Sequence, residues 1–143
     1  QKEIARYLGR ISGPLLDRID MQLEVTAVPV RQITESAPEE PSSAIHERVQ
    51  AARAHQQKRY AGEGISCNAE LSARQLETFC PLDDACRELL GKACDTYHLS
   101  MRAVSRVRKV ARTIADLAGA EEIGRAHLLE ALRYRNLEGN YWK

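Results

Sequence analysis

Apolar and polar residues follow two different periods along this chain, and the change of period divides it. Met21-Gln22-Leu23-Glu24-Val25 alternates one for one, the period of a strand. From Ser72 onward the apolar residues recur at helical spacing. The opening run Lys2 to Arg10 also reads as helix, closing near Gly9. Ser12-Gly13-Pro14 then punctuates, and Pro14 suits the first turn of a short helix, Leu15 to Arg18. Residues 1–29 thus read as a helix, a turn and one strand. Such a unit cannot bury its own apolar faces or pair its own strand, so it asks for a sheet that the chain does not supply.

Residues 30–67 read as a linker and an arm. Thr34 to Ser43 is polar, aperiodic and broken by Pro38 and Pro41. Ser42 or Ser43 is expected to cap the next helix, which carries one narrow apolar stripe, Ile45, Val49 and Ala52. It then turns polar through Arg53, His55, Gln56, Gln57, Lys58 and Arg59, as an exposed arm does, and Ala61-Gly62-Glu63-Gly64 ends it. Residues 68–143 read as a bundle of four helices, which makes the fold class mainly α. Ser72 with Gln75 forms a capping box for Ala73 to Phe79. Pro81 is expected to start the second helix, running to about His98 and burying Leu82, Cys86, Leu89, Ala93 and Tyr97. Ser100 caps the third, which runs to Ala118 before Gly119 and has Val104, Val107, Ala111, Ile114 and Ala118 as its core stripe. The fourth runs from Arg125 to Tyr134 with Leu128, Leu129 and Leu132 inward.

Composition narrows the chemistry. Twenty-one basic and 20 acidic residues leave a net charge of +1, so only a local basic patch could support nucleic-acid binding. Aromatic residues are 5% of the chain, too few for a base-stacking platform. Four cysteines, at 67, 80, 86 and 94, form no C-x-x-C pair; they read as small buried hydrophobes of a reducing, cytoplasmic setting, and no metal site is expected. No long apolar stretch suggests a membrane span. No G-x-x-x-x-G-K-S/T loop and no apolar run ending in paired acids occurs, so neither a phosphate cradle nor a magnesium motif is present in the sequence. Together with the helix-like start, that reads as the back portion of a longer protein.

Two arginines stand out. Arg18 lies between Asp17 and Asp20, just before the strand; it reads either as a local salt bridge or as an arginine supplied to phosphoryl transfer, where a planar guanidinium stabilises charge on equatorial oxygens. Arg102 lies in the first turn of the third bundle helix, where a cation opposes the helix dipole unless an anion offsets it. Arg102, Arg106 and Lys109 follow one another at helical spacing, with Arg108 and Arg112 beside them. That run reads as a solvated basic face or as a phosphate contact, to ATP or to a nucleic-acid backbone.

The same residues resemble a specific family. Ile11-Ser12-Gly13-Pro14-Leu15-Leu16-Asp17-Arg18-Ile19-Asp20 is similar to the segment of magnesium-chelatase-like AAA+ ATPases that ends in the arginine finger. Leu99-Ser100-Met101-Arg102-Ala103 through Arg112-Thr113-Ile114-Ala115-Asp116-Leu117 resembles the sensor-2 helix, and Glu122 to Arg135 the closing helix. Asn68-Ala69-Glu70-Leu71-Ser72 and Cys80-Pro81-Leu82-Asp83 resemble the competence-related, ComM-type branch. The resemblance implies a helical AAA+ lid over residues 68–143, preceded by a remnant of the α/β ATPase core. It implies a ring, a hexamer, using ATP and magnesium. Arg18 would reach a neighbour's ATP in trans, and Arg102 the γ-phosphate of its own subunit's ATP. Arg106, Arg108, Lys109 and Arg112 are the nucleic-acid candidates. DNA branch migration during natural transformation is the implied activity, and the fragment alone is expected to be a monomer inactive toward ATP. A metal-chelatase motor subunit and a non-enzymatic helical binding module are the competing readings.

Overall fold

Five α-helices are present among the described residues: α1 (Ser42–Arg59), α2 (Ala73–Phe79), α3 (Asp84–Tyr97), α4 (Met101–Leu117) and α5 (Arg125–Arg133), with a 3-10 turn at Asn68–Glu70 between α1 and α2. The computed structural model describes residues 15, 17–23, 25, 27, 29 and 39–135. The expected helix Lys2 to Arg10 and most of the linker lie outside them.

Local chemistry sets most of the helix ends. At α2 the Ser72 hydroxyl accepts from the Gln75 amide at 3.3 Å, while Gln75 Oε1 accepts from the Ser72 amide at 3.0 Å. This reciprocal box satisfies two of the donors a helix start leaves open. The second helix starts later than Pro81 suggested: the carboxylate of Asp83 accepts from the Cys86 amide at 2.7 Å and takes the N-cap. That bond holds the Asp83 carboxyl below the usual carboxylate range. Ser100 caps α4 by accepting from the Ala103 amide at 3.2 Å. Gly119, at φ +67°, stands just past the end of α4, in a conformation side chains with a Cβ rarely adopt. The expected serine cap on α1 is not there. Pro41 occupies the N-cap, and Ser42 and Ser43 are already helical.

α4 is the central helix, packed against α5, α1 and α2. Its small residues Ala103, Ala111 and Ala115 are buried with Val107, which lets neighbours approach closely. The core gathers Leu71, Leu76, Cys80, Cys86, Val107, Ile123, Leu128 and Ala131. Tyr60 closes it with an edge-on contact to Phe79, ring centroids 5.2 Å apart. Burial pushes the thiols of Cys80 and Cys86 up to about 11, and all four cysteines are free.

Four details depart from the pattern read in sequence. Leu129 is 39% exposed, and Ala131 fills the inner face of α5. Ala118 is exposed and Ala115 buried, because the buried face of α4 is rotated toward α1. In α3 Leu90 goes fully inward, Leu89 only partly, and Tyr97 faces solvent. The arm is only half exposed: Ile45 and Val49 are open, but Ala52, Gln56 and Tyr60 are buried against the bundle. The strand is the larger correction. Met21, Gln22, Leu23 and Val25 form no strand; a ladder needs a second strand, and none is present among the described residues.

Candidate functional site

The segment carrying Arg18 is fastened to the bundle. Arg18 sits in a tight turn, its amide donating to the Leu15 carbonyl at 3.0 Å. Beside it, Asp17 accepts from the Ser100 hydroxyl at 3.0 Å, and Asp20 pairs with Arg106. Arg135, with a side chain only 2% exposed, donates to the Ile19 carbonyl at 2.7 Å. The Gln22 amide donates to the Tyr134 carbonyl at 2.7 Å.

These contacts bring the two singled-out arginines to one edge. Ser100, which binds Asp17, is the N-cap of α4, and Arg102 is the second residue of that helix. Both Arg18 and Arg102 are exposed. Neither side chain makes a hydrogen bond or an ion pair with any described residue. The local salt bridge that sequence offered for Arg18 does not form, because Asp17 and Asp20 are engaged by α4 and α5. Two cations with no bond to a described residue, near the start of a helix whose own dipole is positive there, form a surface suited to an anion.

The rest of the basic run is a different matter. Arg112 is 1% exposed, and its guanidinium donates to Asp116 and to the carbonyls of Ala120 at 2.6 Å and Glu121 at 2.8 Å. It is a core residue, and its place among the nucleic-acid candidates is corrected: each of its three guanidinium nitrogens is bonded inside the fold. Arg108 caps the end of α2, donating to the Leu76 and Cys80 carbonyls at 2.9 Å each, and pairs with Glu77. That ion pair holds the Glu77 carboxyl below its ordinary range. Lys109 donates to the Ala69 carbonyl at 2.8 Å, and Arg106 is paired with Asp20. The four do not make one free basic face.

Sequence reasoning missed the polar cluster that docks α1. Asp116, wholly buried, accepts from Arg59 at 2.5 Å and 3.0 Å, from Asn68 at 2.8 Å and from Arg112 at 3.1 Å. Asn68 accepts in turn from the Tyr60 hydroxyl at 2.6 Å. The bond to Asp116 raises Arg59 above its ordinary range against the desolvation that opposes it, and burial raises Tyr60. The signal was there in the opposite charges of Arg112 and Asp116 one helical turn apart. Among the described residues no cluster of three or more His, Cys, Asp or Glu side chains is placed to hold a metal, and no helix is long and apolar enough to cross a membrane.

Comparison with known proteins gives a consistent result. Residues 39–135 match the family described as magnesium chelatase, subunit ChlI C-terminal, and residues 1–33 match magnesium chelatase, subunit ChlI. Competence protein ComM of Haemophilus influenzae is 42% identical over 135 residues, covering 94% of this chain and 26% of that protein. The YifB proteins of Salmonella typhimurium and Escherichia coli are each 38% identical over 138 residues, covering 96% of this chain and 26% of theirs. The chain therefore spans about a quarter of the length of the curated relatives it matches.

Proposed function

Because the chain belongs to the family described as magnesium chelatase, subunit ChlI C-terminal, we propose that it is the lid portion of a ring-forming AAA+ ATPase and that Arg18 and Arg102 act on ATP. The observation that carries this reading is their shared edge: two exposed arginines with no partner among the described residues, brought together by the Asp17–Ser100 bond. In phosphoryl transfer the charge moves onto the oxygens of the departing phosphoryl group, and a guanidinium held beside them lowers the barrier. Magnesium would supply part of the positive charge at the phosphates, and no acidic cluster among the described residues is placed to hold it. Arg18 and Arg102 would supply the remaining positive charge.

The shared edge bears on which ATP each arginine serves. The family resemblance assigned Arg18 to a neighbour's nucleotide and Arg102 to its own. Arginines presented from one edge address one nucleotide more readily than two, so we assign both to the neighbouring subunit's ATP. DNA is the client we favour, supported by the name of the competence protein ComM; the alternative is the client of a metal chelatase, supported by the family name.

The test uses a full-length family member carrying this segment. Arg18→Ala is expected to cut hydrolysis roughly 10³-fold while ATP binding stays intact. Arg102→Ala subunits mixed with subunits whose phosphate loop is disabled should regain hydrolysis at the interfaces where the second supplies Arg102 to the first. Turnover that never recovers in mixed rings would place Arg102 on its own subunit's ATP. Stimulation by branched DNA checks the client.

A further inference from the structure

The Arg18 turn is held to the bundle by polar groups at the start of α4 and just past the end of α5. Ser100 at the start of α4 binds Asp17 at 3.0 Å. Arg106, one helical turn into α4, pairs with Asp20. Arg135, just past the end of α5, reaches both the Ile19 carbonyl at 2.7 Å and Asp17 at 3.6 Å. The Gln22 amide ends the series on the Tyr134 carbonyl at 2.7 Å. The attachments thus come from the first turns of α4 and from the residues just past α5, and they flank Arg18 on both sides.

We propose that Asp17, Asp20, Arg106 and Arg135 are positioning residues: they clamp the Arg18 turn across the ends of α4 and α5, so that Arg18 and Arg102 move as one body. This rests on the reading of those two arginines as ATP contacts. A single exposed ion pair such as Asp20 with Arg106 constrains little by itself. Arg135 differs, because its buried guanidinium is directed at a backbone carbonyl, which locks the main chain as well as a side chain. A phosphate-binding arginine on an untethered loop must be ordered at each encounter, and a misplacement of about 1 Å can cost about 10²-fold in rate. Tethered to the helix that bears Arg102, Arg18 is ordered beforehand. Rotation of the lid then carries both arginines toward or away from the same phosphate together.

The direct readout is amide hydrogen exchange by NMR on the 143-residue chain. The Gln22 amide reports docking without belonging to any clamp side chain. It is expected to exchange slowly in the wild type. In Asp20→Arg it should exchange at least about tenfold faster, with the Val107 amide of α4 unchanged. The charge-swapped pair Asp20→Arg with Arg106→Asp should restore slow exchange. Arg135→Met should release Gln22 as well, and circular dichroism shows whether the helices survive it. A Gln22 amide that exchanges at the free-peptide rate in the wild type, or that ignores Asp20→Arg, overturns the clamp. In the full-length enzyme Asp20→Arg should lower kcat with ATP affinity preserved, and the swap should rescue it; unchanged kcat beside faster Gln22 exchange overturns the positioning role. If instead the clamp behaves as described while Arg18→Ala and Arg102→Ala leave turnover intact, the ATP reading falls and the clamp stands.

Discussion

The two ends of α4 carry the same residue type to opposite uses. At the start of the helix Arg102 is exposed and makes no bond to a described residue. About 15 Å further along, by helical rise, Arg112 is buried and bonded to Asp116 and two carbonyls. Neither residue type nor spacing separates them. What does is whether the fold brings up acceptors: Asp116 and the chain after Gly119 serve Arg112, and nothing described serves Arg102. An arginine left without acceptors on a rigid edge is available to a ligand, whereas one surrounded by them is part of the interior.

The sharpest way to break this contrast is at Asp116. Removing its carboxylate leaves the buried Arg112 and the partly exposed Arg59 without their shared counter-charge, so Asp116→Ala should cost about 3–5 kcal/mol, read from chemical denaturation. A loss well under 1 kcal/mol would mean that water reaches the cluster and that the buried end is less dry than described. Next in size is Arg108→Ala, which leaves the Leu76 and Cys80 carbonyls without this donor; a loss of about 1–2 kcal/mol is expected. The smallest effect belongs to Arg102→Ala, within about 0.5 kcal/mol of neutral, with helix content unchanged. Should Arg102→Ala destabilise the chain as Asp116→Ala does, the two ends of α4 are alike and the free edge loses its meaning.

Much of the helical order was legible because it is written locally. The Ser72–Gln75 box and the Ser100 cap are short-range devices, and each stands where the sequence placed it. The Val107 and Ala111 stripe followed from period alone. Arg112 was misread because one helix shows which face is apolar, not how wide a face its neighbours cover. α1 covers a second flank of α4, and the polar run of α1 that looked like an exposed arm supplies Arg59 to Asp116 of α4 and Gln56 to the Asn68 amide of the 3-10 turn. The strand was misread for a related reason: alternation signals strand geometry, but only a partner makes a strand. The edge was half legible. Both arginines could be picked out by their local setting, while their approach depends on contacts between residues as far apart in sequence as Ile19 and Arg135.

Ser100 carries a constraint on sequence drift. Its single hydroxyl accepts from the Ala103 amide and donates to Asp17, so two structures share one atom. Many residues start a helix well, and aspartate is among the best. Here aspartate would keep the cap but set a second carboxylate against Asp17 with no proton between them. Glycine would keep the backbone and lose both bonds. Only a side chain that can give and take at once satisfies the position, which leaves serine, threonine and asparagine as the vocabulary open to it.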